Sequence, residues 1–384
     1  HIIEMGPGAG AQGGRVIAEG SAEELVRDPA SKIGPFLKEG ARPRLRPEIR
    51  EGELFSLGSI CMETDAIHTV KPLRVHLPKG RLTVVTGVSG SGKTTLVLES
   101  LVPALCAELR GAPPPSHVRS VEAEGIRAVK LIDATPIGVN VRSTVATYAN
   151  VHDELRKAFA RTEEAKALGY KAGDFSYNTG RLRCPVCDGT GTVSLDVQFL
   201  PDVDIPCPEC RGSRYRKEAY GIKLACSDGK EHSLPELMEM SVSEAIDACG
   251  SMKLVEQRLE VLDSLGLGYL TLGEQTPGLS GGEAQRLKLA SEMGRAQSDT
   301  VFVFDEPTIG LHPLDVRTLL SVFDTLIKSG ATVVVVEHDL DVIRSADYVI
   351  DMGPGGGEAG GRIVACGTPD DIKNCSDSVT GRYI

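Results

Sequence analysis

The chain has 384 residues, of which 41% are hydrophobic and 25% are charged, a composition typical of a folded protein with a sizeable core and two or three domains. No uninterrupted apolar run reaches about 18 residues, so the sequence predicts no membrane-spanning helix and no membrane partner. The net charge of −11 argues against a uniformly basic nucleic-acid-binding protein, although it does not exclude a local basic groove.

The two ends of the chain repeat each other without a gap. The matching segments, always 347 positions apart, are Met5-Gly-Pro-Gly8 with Met352-Gly-Pro-Gly355, Gly13-Gly-Arg15 with Gly360-Gly-Arg362, and Gly20 with Gly367. Ser21 and Thr368, the next residues, read as helix N-caps followed by acidic residues. Chance recurrence of glycine-rich turns is the alternative, but agreement over about 20 positions favours a true repeat. We therefore expect residues 1–40 to be the tail of a preceding module, left by a cut in a longer chain.

The region after this tail is predicted to be a linker followed by the first part of a nucleotide-binding core. Residues 41–53 are assigned to the linker, because Ala41–Pro47 is rich in proline and arginine. The first part of the core is predicted over residues 54–140. Its opening strands are expected between Leu54 and Pro78, and Ala128–Ile132 reads as a core strand.

A phosphate-binding loop is predicted at Gly87-Val-Ser-Gly-Ser-Gly-Lys-Thr94, which fits the pattern G-x-x-x-x-G-K-[ST] between a strand-like run and a helix. In such a loop the glycines let backbone N–H groups turn toward phosphates, Lys93 supplies a positive charge, and Thr94 supplies a hydroxyl for Mg²⁺. The pattern therefore predicts ATP and Mg²⁺ as cofactors. The residues predicted to contact the nucleotide here are Gly87, Ser89, Gly90, Gly92, Lys93, Thr94 and Thr95.

An inserted region is predicted over residues 141–275, where the composition changes. Asp153–Leu168 reads as a polar helix, and Val255–Leu265 reads as a helix that leads back to the core. Between them, at about residues 175–220, lies a segment rich in Gly, Cys and Pro. Its two C-x-x-C pairs are 19 residues apart, a spacing typical of four-cysteine zinc sites. The predicted zinc ligands are Cys184, Cys187, Cys207 and Cys210.

Four thiolates form a closed, structural zinc site, and the alternatives for such cysteines are disulfides or a redox pair. Because a phosphate-binding loop implies cytosolic ATP, we expect a reducing, cytoplasmic compartment and favour zinc. Basic and aromatic residues surround the cysteines: Arg181, Arg183, Arg211, Arg214, Arg216, Lys217, Tyr177 and Tyr215. Acidic residues nearly balance their charge: Asp188, Asp196, Asp202, Asp204 and Glu209. A nucleic-acid-binding patch and an ordinary solvated surface both remain open.

The second part of the core is predicted over residues 276–384. It opens on Leu279-Ser-Gly-Gly-Glu-Ala-Gln-Arg286, and an apolar strand from Val301 then ends in Asp305-Glu306. Such a strand end lies at the carboxyl edge of the sheet, where α/β folds bind ligands. We predict that Asp305 holds Mg²⁺ through water and that Glu306 polarises the attacking water. A solvated loop start is the alternative.

A second candidate catalytic residue follows the next strand. Ala331–Val336 is a continuous, largely β-branched run, which is typical of a buried parallel strand. His338 follows it after one intervening residue, Glu337, and is predicted to orient the γ-phosphate. The alternative is an ordinary core histidine, and the position after this particular strand argues against it.

A phosphate-binding loop, an LSGGE run and an apolar strand ending in Asp-Glu together resemble the ATP-binding-cassette (ABC) ATPases. The resemblance implies an α/β ABC-type P-loop ATPase fold, here with a large inserted helical signature region that carries a four-cysteine zinc module. With the insertion included, the chain resembles the UvrA family, which belongs to the UvrABC excinuclease of bacterial nucleotide excision repair. The matching motifs are Gly87–Thr95, Phe175-Ser-Tyr-Asn178, Cys184–Gly191, Phe199-Leu-Pro-Asp202, Cys207–Cys210, Leu279–Arg286, Asp305-Glu-Pro-Thr308, Glu337–Ile343 and Gly353–Gly357.

The resemblance implies an ATP-hydrolysing DNA-repair protein that dimerises as a full-length chain, binds double-stranded DNA with lesions and loads the helicase-like partner UvrB. Because ABC sites are composite, Lys93 and Glu306 would act with the signature run of another cassette. Ser280, Gly281 and Gly282 would in turn contact ATP that is held elsewhere. The isolated chain is therefore expected to be weakly active as an ATPase.

One position departs from the family pattern, because Ala134 stands where the family usually has Gln in a loop that couples Mg²⁺ and water to the insertion. This departure favours, as the second reading, a UvrA-like paralogue that gives self-resistance by acting on drug-bound DNA. A transporter ATPase is a further alternative, and the paired cysteines argue against it. A nucleotide-binding structural module that never hydrolyses ATP is the last alternative.

Overall fold

The computed structural model describes residues 1–7, 13–38, 46–138, 140–195, 203–293 and 297–384. Gly8 of the first repeat, linker residues 41–45, Asp196 and the Phe199–Asp202 motif lie outside these residues. The chain forms two compact units. The first contains residues 20–134 and 295–384 together with His1, and the second contains residues 2–19 and 135–294.

The strands are β1 (Ile2–Gly6), β2 (Arg15–Gly20), β3 (Ser59–Thr64), β4 (Leu73–Pro78), β5 (Leu82–Gly87), β6 (Val118–Glu122), β7 (Ala128–Ile132), β8 (Thr192–Leu195), β9 (Val203–Pro206), β10 (Leu224–Ala225), β11 (Glu231–His232), β12 (Thr300–Asp305), β13 (Thr332–Val336), β14 (Tyr348–Gly353) and β15 (Arg362–Gly367). The α-helices are α1 (Ala22–Arg27), α2 (Gly34–Leu37), α3 (Val102–Arg110), α4 (Val145–Tyr148), α5 (Val151–Phe159), α6 (Glu163–Ala167), α7 (Leu234–Glu239), α8 (Val242–Cys249), α9 (Lys253–Leu262), α10 (Gly281–Glu292), α11 (Pro313–Lys328), α12 (Leu340–Ser345) and α13 (Pro369–Asn374). A π-helix, Thr95–Leu101, runs directly into α3.

The first unit is built on a six-stranded sheet in the order β15-β14-β5-β13-β12-β7. The strands from β14 to β7 are parallel to their neighbours, and β15 joins β14 antiparallel. The central strands β5, β13 and β12 are almost wholly buried, as expected for continuous apolar runs covered on both faces. Because these three strands are parallel, the residues that follow Gly87, Asp305 and Val336 meet at one carboxyl edge.

A second, antiparallel sheet in the order β4-β3-β6 completes the core of this unit. Ile60 and Met62 of β3 share one hydrophobic cluster with Leu96 and Leu101 of the π-helix, so this cluster fixes the helix that follows the phosphate-binding loop. The predicted core strand Ala128–Ile132 is β7, which pairs with β12 as the edge of the six-stranded sheet. The strand is thus present in the core sheet, and its edge position leaves Leu131 38% exposed.

The second unit contains the helices α4 to α10 and the short hairpin β8–β9. The predicted polar helix Asp153–Leu168 is in fact two helices, because the chain leaves the helix after Phe159 and the Thr162 side chain caps α6. The first of them, α5, buries Leu155 and Phe159 and is therefore amphipathic. No helix in the described part of the chain combines the length and hydropathy needed to span a bilayer.

Arg46 of the linker is fixed to the first unit. The Arg46 guanidinium is buried and pairs with Asp324 (Nε to Oδ1, 2.6 Å) and Asp347 (Nη1 to Oδ2, 3.1 Å). The second of these carboxylates also accepts the N–H of Leu82 at the start of β5. The linker is therefore anchored at Arg46 by a buried ionic contact beside the central strand, although its composition is that of a solvated segment.

Candidate ATP site and metal centre

The phosphate-binding loop leaves the buried strand β5 and enters the π-helix. Thr94 is exposed and already has helical backbone angles, so the first-turn N–H groups face the loop, as in other phosphate sites at helix N-termini. The Lys93 amino group folds back onto the loop and donates to the carbonyl oxygens of Gly87 and Val88, both at 3.0 Å. The lysine is thus held at the centre of the loop.

The charge around Lys93 suits a phosphate ligand. Burial lowers the pKa of Lys93, while the carboxylates of Glu306, Asp351 and Asp305 act in the opposite direction. A buried ammonium group is stabilised by any further negative charge that reaches it. The triphosphate of ATP would supply that charge, so the residues present fit this cofactor.

A second glycine-rich segment, Gly353–Gly361, lies against the phosphate-binding loop and is here called the glycine loop. Its N–H groups donate to two carbonyl oxygens of the phosphate-binding loop, from Gly357 to Gly90 at 3.1 Å and from Gly361 to Ser91 at 3.0 Å. The sequence shows this segment as part of the repeat and of the UvrA-like motifs, without indicating its contact with the phosphate-binding loop. The contacts show that it fixes the backbone that faces the phosphates.

Substituting Gly356 by Ala is expected to weaken ATP binding by at least about tenfold, because a Cβ there would lie 2.6 Å from the Ser89 carbonyl oxygen and displace the phosphate-binding loop. Titration with a fluorescent ATP analogue measures the change. Gly52→Ala is the matched control, since a Cβ at that glycine meets no atom within 4 Å. Equal ATP affinity in both variants would contradict a bracing role for the glycine loop.

The two candidate catalytic residues meet at the carboxyl edge of the sheet. Glu306 has the left-handed backbone angle φ +46°, which is uncommon for a non-glycine residue, and its N–H donates to the Val336 carbonyl at 2.9 Å. Its Oε1 lies 3.4 Å from Nε2 of His338. Both side chains are partly exposed, so this carboxylate–imidazole pair is accessible to water.

Glu337 directly follows β13 and has a structural role that the sequence did not indicate. It is buried, and its carboxylate accepts the N–H groups of Thr308 at 2.8 Å and Asp339 at 2.9 Å, together with that of His338. One carboxylate therefore ties the loop after Glu306 to the loop that carries His338. A charged residue directly after a fully apolar strand was the available signal.

Asp305 ends β12 in a cluster of negative charge. Burial is the largest cause of a raised pKa of Asp305, and the carboxylates of Glu306, Asp133 and Glu337 raise this pKa further. A divalent cation would reverse this effect, so the donor set fits Mg²⁺. Ala134 follows Asp133 at the end of the strand that pairs with β12, and its methyl group provides no polar atom at this edge.

The LSGGE residues lie in the second unit and begin helix α10. Ser280 is its N-cap: its side chain accepts the N–H of Glu283 at 3.4 Å, and the Glu283 carboxylate accepts the Ser280 N–H at 2.7 Å. Ser280 and Gly281 are exposed and Gly282 is partly exposed. An exposed helix N-terminus with two glycines in its first turn is suited to an anion.

The four predicted metal ligands come together in the second unit. The Sγ atoms of Cys184, Cys187, Cys207 and Cys210 all lie within 4.8 Å of one another and are buried. The pairs Cys184–Cys207 and Cys187–Cys210 are 3.9 and 3.6 Å apart. Ligands about 2.3 Å from a tetrahedral zinc ion are about 3.8 Å apart, so this geometry fits zinc. The same distances are far from a disulfide bond of about 2.05 Å.

The aromatic residues of the module are core residues. Tyr177 and Tyr215 are buried, and the Tyr215 hydroxyl donates to the Phe175 carbonyl at 2.9 Å and lies 2.9 Å from Nε2 of His152. Burial lowers the pKa of His152 to about 3, which keeps this imidazole neutral. The tyrosines therefore offer no face for base stacking, and Arg214 is buried with them. In the described part of the module the basic residues left exposed are Arg181, which pairs with Asp174, and Arg211, Arg216 and Lys217.

Comparison with known proteins gives close relatives, although no family model matches the chain. UvrABC system protein A of Thermus thermophilus is 43% identical over 387 residues, and that of Bacillus subtilis is 42% identical over 389 residues. Both alignments cover 100% of this chain and 40% of the relative. The crystal structure of UvrA2 from Deinococcus radiodurans has a TM-score of 0.89 and 38% identity, covering 99% of this chain and 45% of that one.

These similarities agree with the sequence prediction of fold. The α/β P-loop architecture of the ABC type, with a four-cysteine cluster in the inserted region, is confirmed. The chain spans 40% of the length of the curated relatives it matches. By similarity over its whole length in sequence and fold, the chain belongs to the UvrA family.

Proposed function

We propose that the chain is one nucleotide-binding half of a tandem-cassette ATPase that recognises DNA damage in nucleotide excision repair and loads a UvrB-like helicase. The observation that carries the proposal is the presence, in one chain, of a phosphate-binding loop, the Glu306–His338 pair and a four-cysteine cluster. The domain roles proposed are a preceding cassette's tail (1–40), a linker (41–53), a core in two parts (54–140 and 276–384) and the inserted signature region with its zinc module (141–275).

In the proposed ATPase reaction the side chains act mainly by position and charge, which is what phosphoryl transfer requires. Lys93 neutralises the β- and γ-phosphates, while Thr94 and Asp305 hold Mg²⁺, which supplies further charge stabilisation. Glu306 orients and polarises the attacking water. His338, 3.4 Å from the Glu306 carboxylate, fixes that carboxylate and would orient the γ-phosphate of bound ATP.

The active site is proposed to be composite. The exposed N-terminus of α10, with Ser280, Gly281 and Gly282, is suited to the γ-phosphate of ATP held by another cassette. Lys93 and Glu306 would correspondingly need a signature helix from elsewhere. This requirement supports a two-cassette chain and a homodimer of the full-length protein, and it makes weak hydrolysis by the isolated chain the expected result.

Double-stranded DNA is the proposed substrate of the inserted region. Arg181, Arg211, Arg216 and Lys217 are the exposed basic residues in the described part of the zinc module, and phosphate contacts of this kind give salt-dependent binding without sequence preference. Because the tyrosines are buried, damage is not sensed here by stacking on Tyr177 or Tyr215. A distorted duplex shape is the feature that such a basic surface can recognise.

The proposal is tested by titrating the full-length protein with a duplex that carries one bulky adduct and with the same duplex undamaged, with and without ATP, at one fixed salt concentration. We expect at least about tenfold tighter binding of the damaged duplex, a difference of about 1.4 kcal/mol, and only with ATP. Arg211→Glu combined with Arg216→Glu should weaken binding to both duplexes. Equal affinity for the two duplexes in all conditions would refute damage recognition.

A second candidate function is self-resistance, in which a UvrA-like protein acts on drug-bound DNA without a repair nuclease. The observation that favours it is Ala134, which lies beside the Mg²⁺-binding edge and lacks the amide expected there. Expression of the full-length gene in a strain that lacks its own UvrA separates the two. Restored survival after ultraviolet irradiation supports repair, and drug resistance without restored survival supports self-resistance.

A further inference from the structure

The two repeated ends of the chain fold alike, down to individual hydrogen bonds. The helices α1 and α13 begin in the same way, because in each a carboxylate of the first turn accepts the N–H of the N-cap residue. Glu24 accepts from Ser21 and Asp371 accepts from Thr368, both at 2.7 Å. Each then has a serine hydroxyl that accepts a glycine N–H: Ser31 from Gly34 at 2.9 Å and Ser378 from Gly381 at 2.8 Å. The equivalence therefore extends at the same offset to Phe36 and Tyr383.

These two equivalent aromatic residues differ in their surroundings. Phe36 is 8% exposed: its ring packs edge-on against His312, with 6.1 Å between ring centroids and an interplanar angle of 83°, and the Arg317 guanidinium lies 5.0 Å above it. Tyr383 is 66% exposed. Within the described residues, no aromatic ring or guanidinium packs on the Tyr383 ring.

The exposed tyrosine is carried on a fixed backbone. Its carbonyl oxygen accepts a hydrogen bond from Nη2 of Arg344 at 2.7 Å, and the preceding turn is held by Ser378, whose hydroxyl donates to the buried carboxylate of Asp351. A large aromatic side chain that is two-thirds exposed on a hydrogen-bonded backbone is typical of a residue that docks on another surface.

The surface contacted by Phe36 is next to the catalytic edge. His312 is the N-cap of α11 and lies six residues after Glu306 in the chain. Residues 21–37, predicted to be the tail of a preceding cassette, thus hold the segment that follows this cassette's candidate catalytic carboxylate. In an approximately two-fold pair of cassettes, every such contact occurs twice, with the roles exchanged.

We propose that Tyr383 makes the reciprocal contact, packing on the preceding cassette at the positions equivalent to His312 and Arg317, directly after that cassette's own catalytic carboxylate. This inference rests on the tandem-cassette arrangement proposed above. The occupant of the exposed ring is therefore a segment of the same longer protein. The tail of each cassette then contacts the segment that follows the catalytic carboxylate of the other cassette. A movement of either segment would displace the tail that packs on it, and this couples the two ATP sites mechanically.

Photo-crosslinking of the full-length protein tests the proposal. p-Benzoylphenylalanine replaces Tyr383 in one variant, Phe36 in a second and Asp377 in a third, and the crosslinked peptides are mapped by mass spectrometry. The probe at 36 should crosslink to residues 312–317, as the structure shows. The probe at 383 should crosslink to the preceding cassette within about a dozen residues after its Asp-Glu motif. The probe at 377 should remain unlinked, because Asp377 and its equivalent Ala30 are both exposed.

A mixture of isotopically light and heavy protein shows whether each crosslink lies within one chain or between two. Crosslinks from position 383 to a second copy, to another part of the preceding cassette, or none at all while the probe at 36 reacts, would overturn the proposal. Failure of the probe at 36 would overturn it as well, since the observed contact is its basis. ATP hydrolysis and DNA binding, measured separately on the unsubstituted protein, test the proposed function independently of these crosslinks.

Discussion

Replacing Glu306 by Gln is expected to lower the rate of ATP hydrolysis at this site by at least about 100-fold while leaving ATP affinity within about threefold. The substitution keeps the length of the side chain, and the residue still has to adopt a positive φ, but the carboxylate charge that we propose to polarise the attacking water is lost. Lys93, Thr94 and Asp305 are unchanged, so the residues proposed to bind the phosphates and Mg²⁺ all remain. The variant should therefore bind ATP and retain it.

The measurement requires a protein in which this site alone hydrolyses ATP. The lysine of the preceding cassette's phosphate-binding loop is replaced in every sample. The rate of ATP hydrolysis with Glu306→Gln is then compared with the rate of the lysine-replaced protein that keeps Glu306. Glu108→Gln is the control, because it removes the same charge from α3, away from the carboxyl edge of the sheet. If the Glu306→Gln variant hydrolyses ATP within twofold of the rate of the lysine-replaced protein that keeps Glu306, water activation would be assigned to another residue.

Local sequence patterns predicted the parts of the site that are continuous in the chain. The phosphate-binding loop, the C-x-x-C pairs and the Asp-Glu strand end each depend on short-range geometry, because a strand, a turn and a helix fix the spacing of their own residues. The buried parallel strand Ala331–Val336 was predicted for the same reason, since a strand covered on both faces must be apolar throughout.

The parts that depend on contacts between distant segments were not predicted. Glu337 binds backbone N–H groups from two loops, and no spacing in the sequence indicates that. Tyr177 and Tyr215 lie among basic residues in the sequence, yet they pack into the core because helix α5 brings His152 to them. In a segment where every second or third residue is polar, the composition does not tell whether an aromatic residue is exposed or buried. Only the contacts made in the fold show this.

Loss of the metal centre is expected to have the largest structural effect of any single substitution in the inserted region. Cys207→Ala removes one of four buried ligands, and we expect bound zinc to fall from one ion per chain to less than about 0.1. In zinc-finger peptides the binding free energy is about 10–16 kcal/mol at neutral pH, and it is coupled to folding. The described part of residues 175–220 has little regular structure apart from the hairpin β8–β9, and backbone hydrogen bonds such as that from Cys184 to Arg214 join its two halves. A zinc ion held by the four cysteines would be a further link between these halves.

Atomic absorption measures the zinc content, and limited proteolysis reports whether residues 175–220 become accessible while the rest of the chain resists cleavage. Cys226→Ala is the matched control in the same unit, because that thiol lies outside the cluster. ATP affinity should change by less than about twofold, since the phosphate-binding loop belongs to the other unit.

Full zinc content in Cys207→Ala would show that the ion is held elsewhere. A wild-type protein that contains no metal and resists alkylation at all four cysteines would instead establish disulfides. The expected pattern of lost zinc, local cleavage and intact ATP binding would leave the inserted region as a separately stabilised module, which is what a DNA-sensing element on an ATPase core requires.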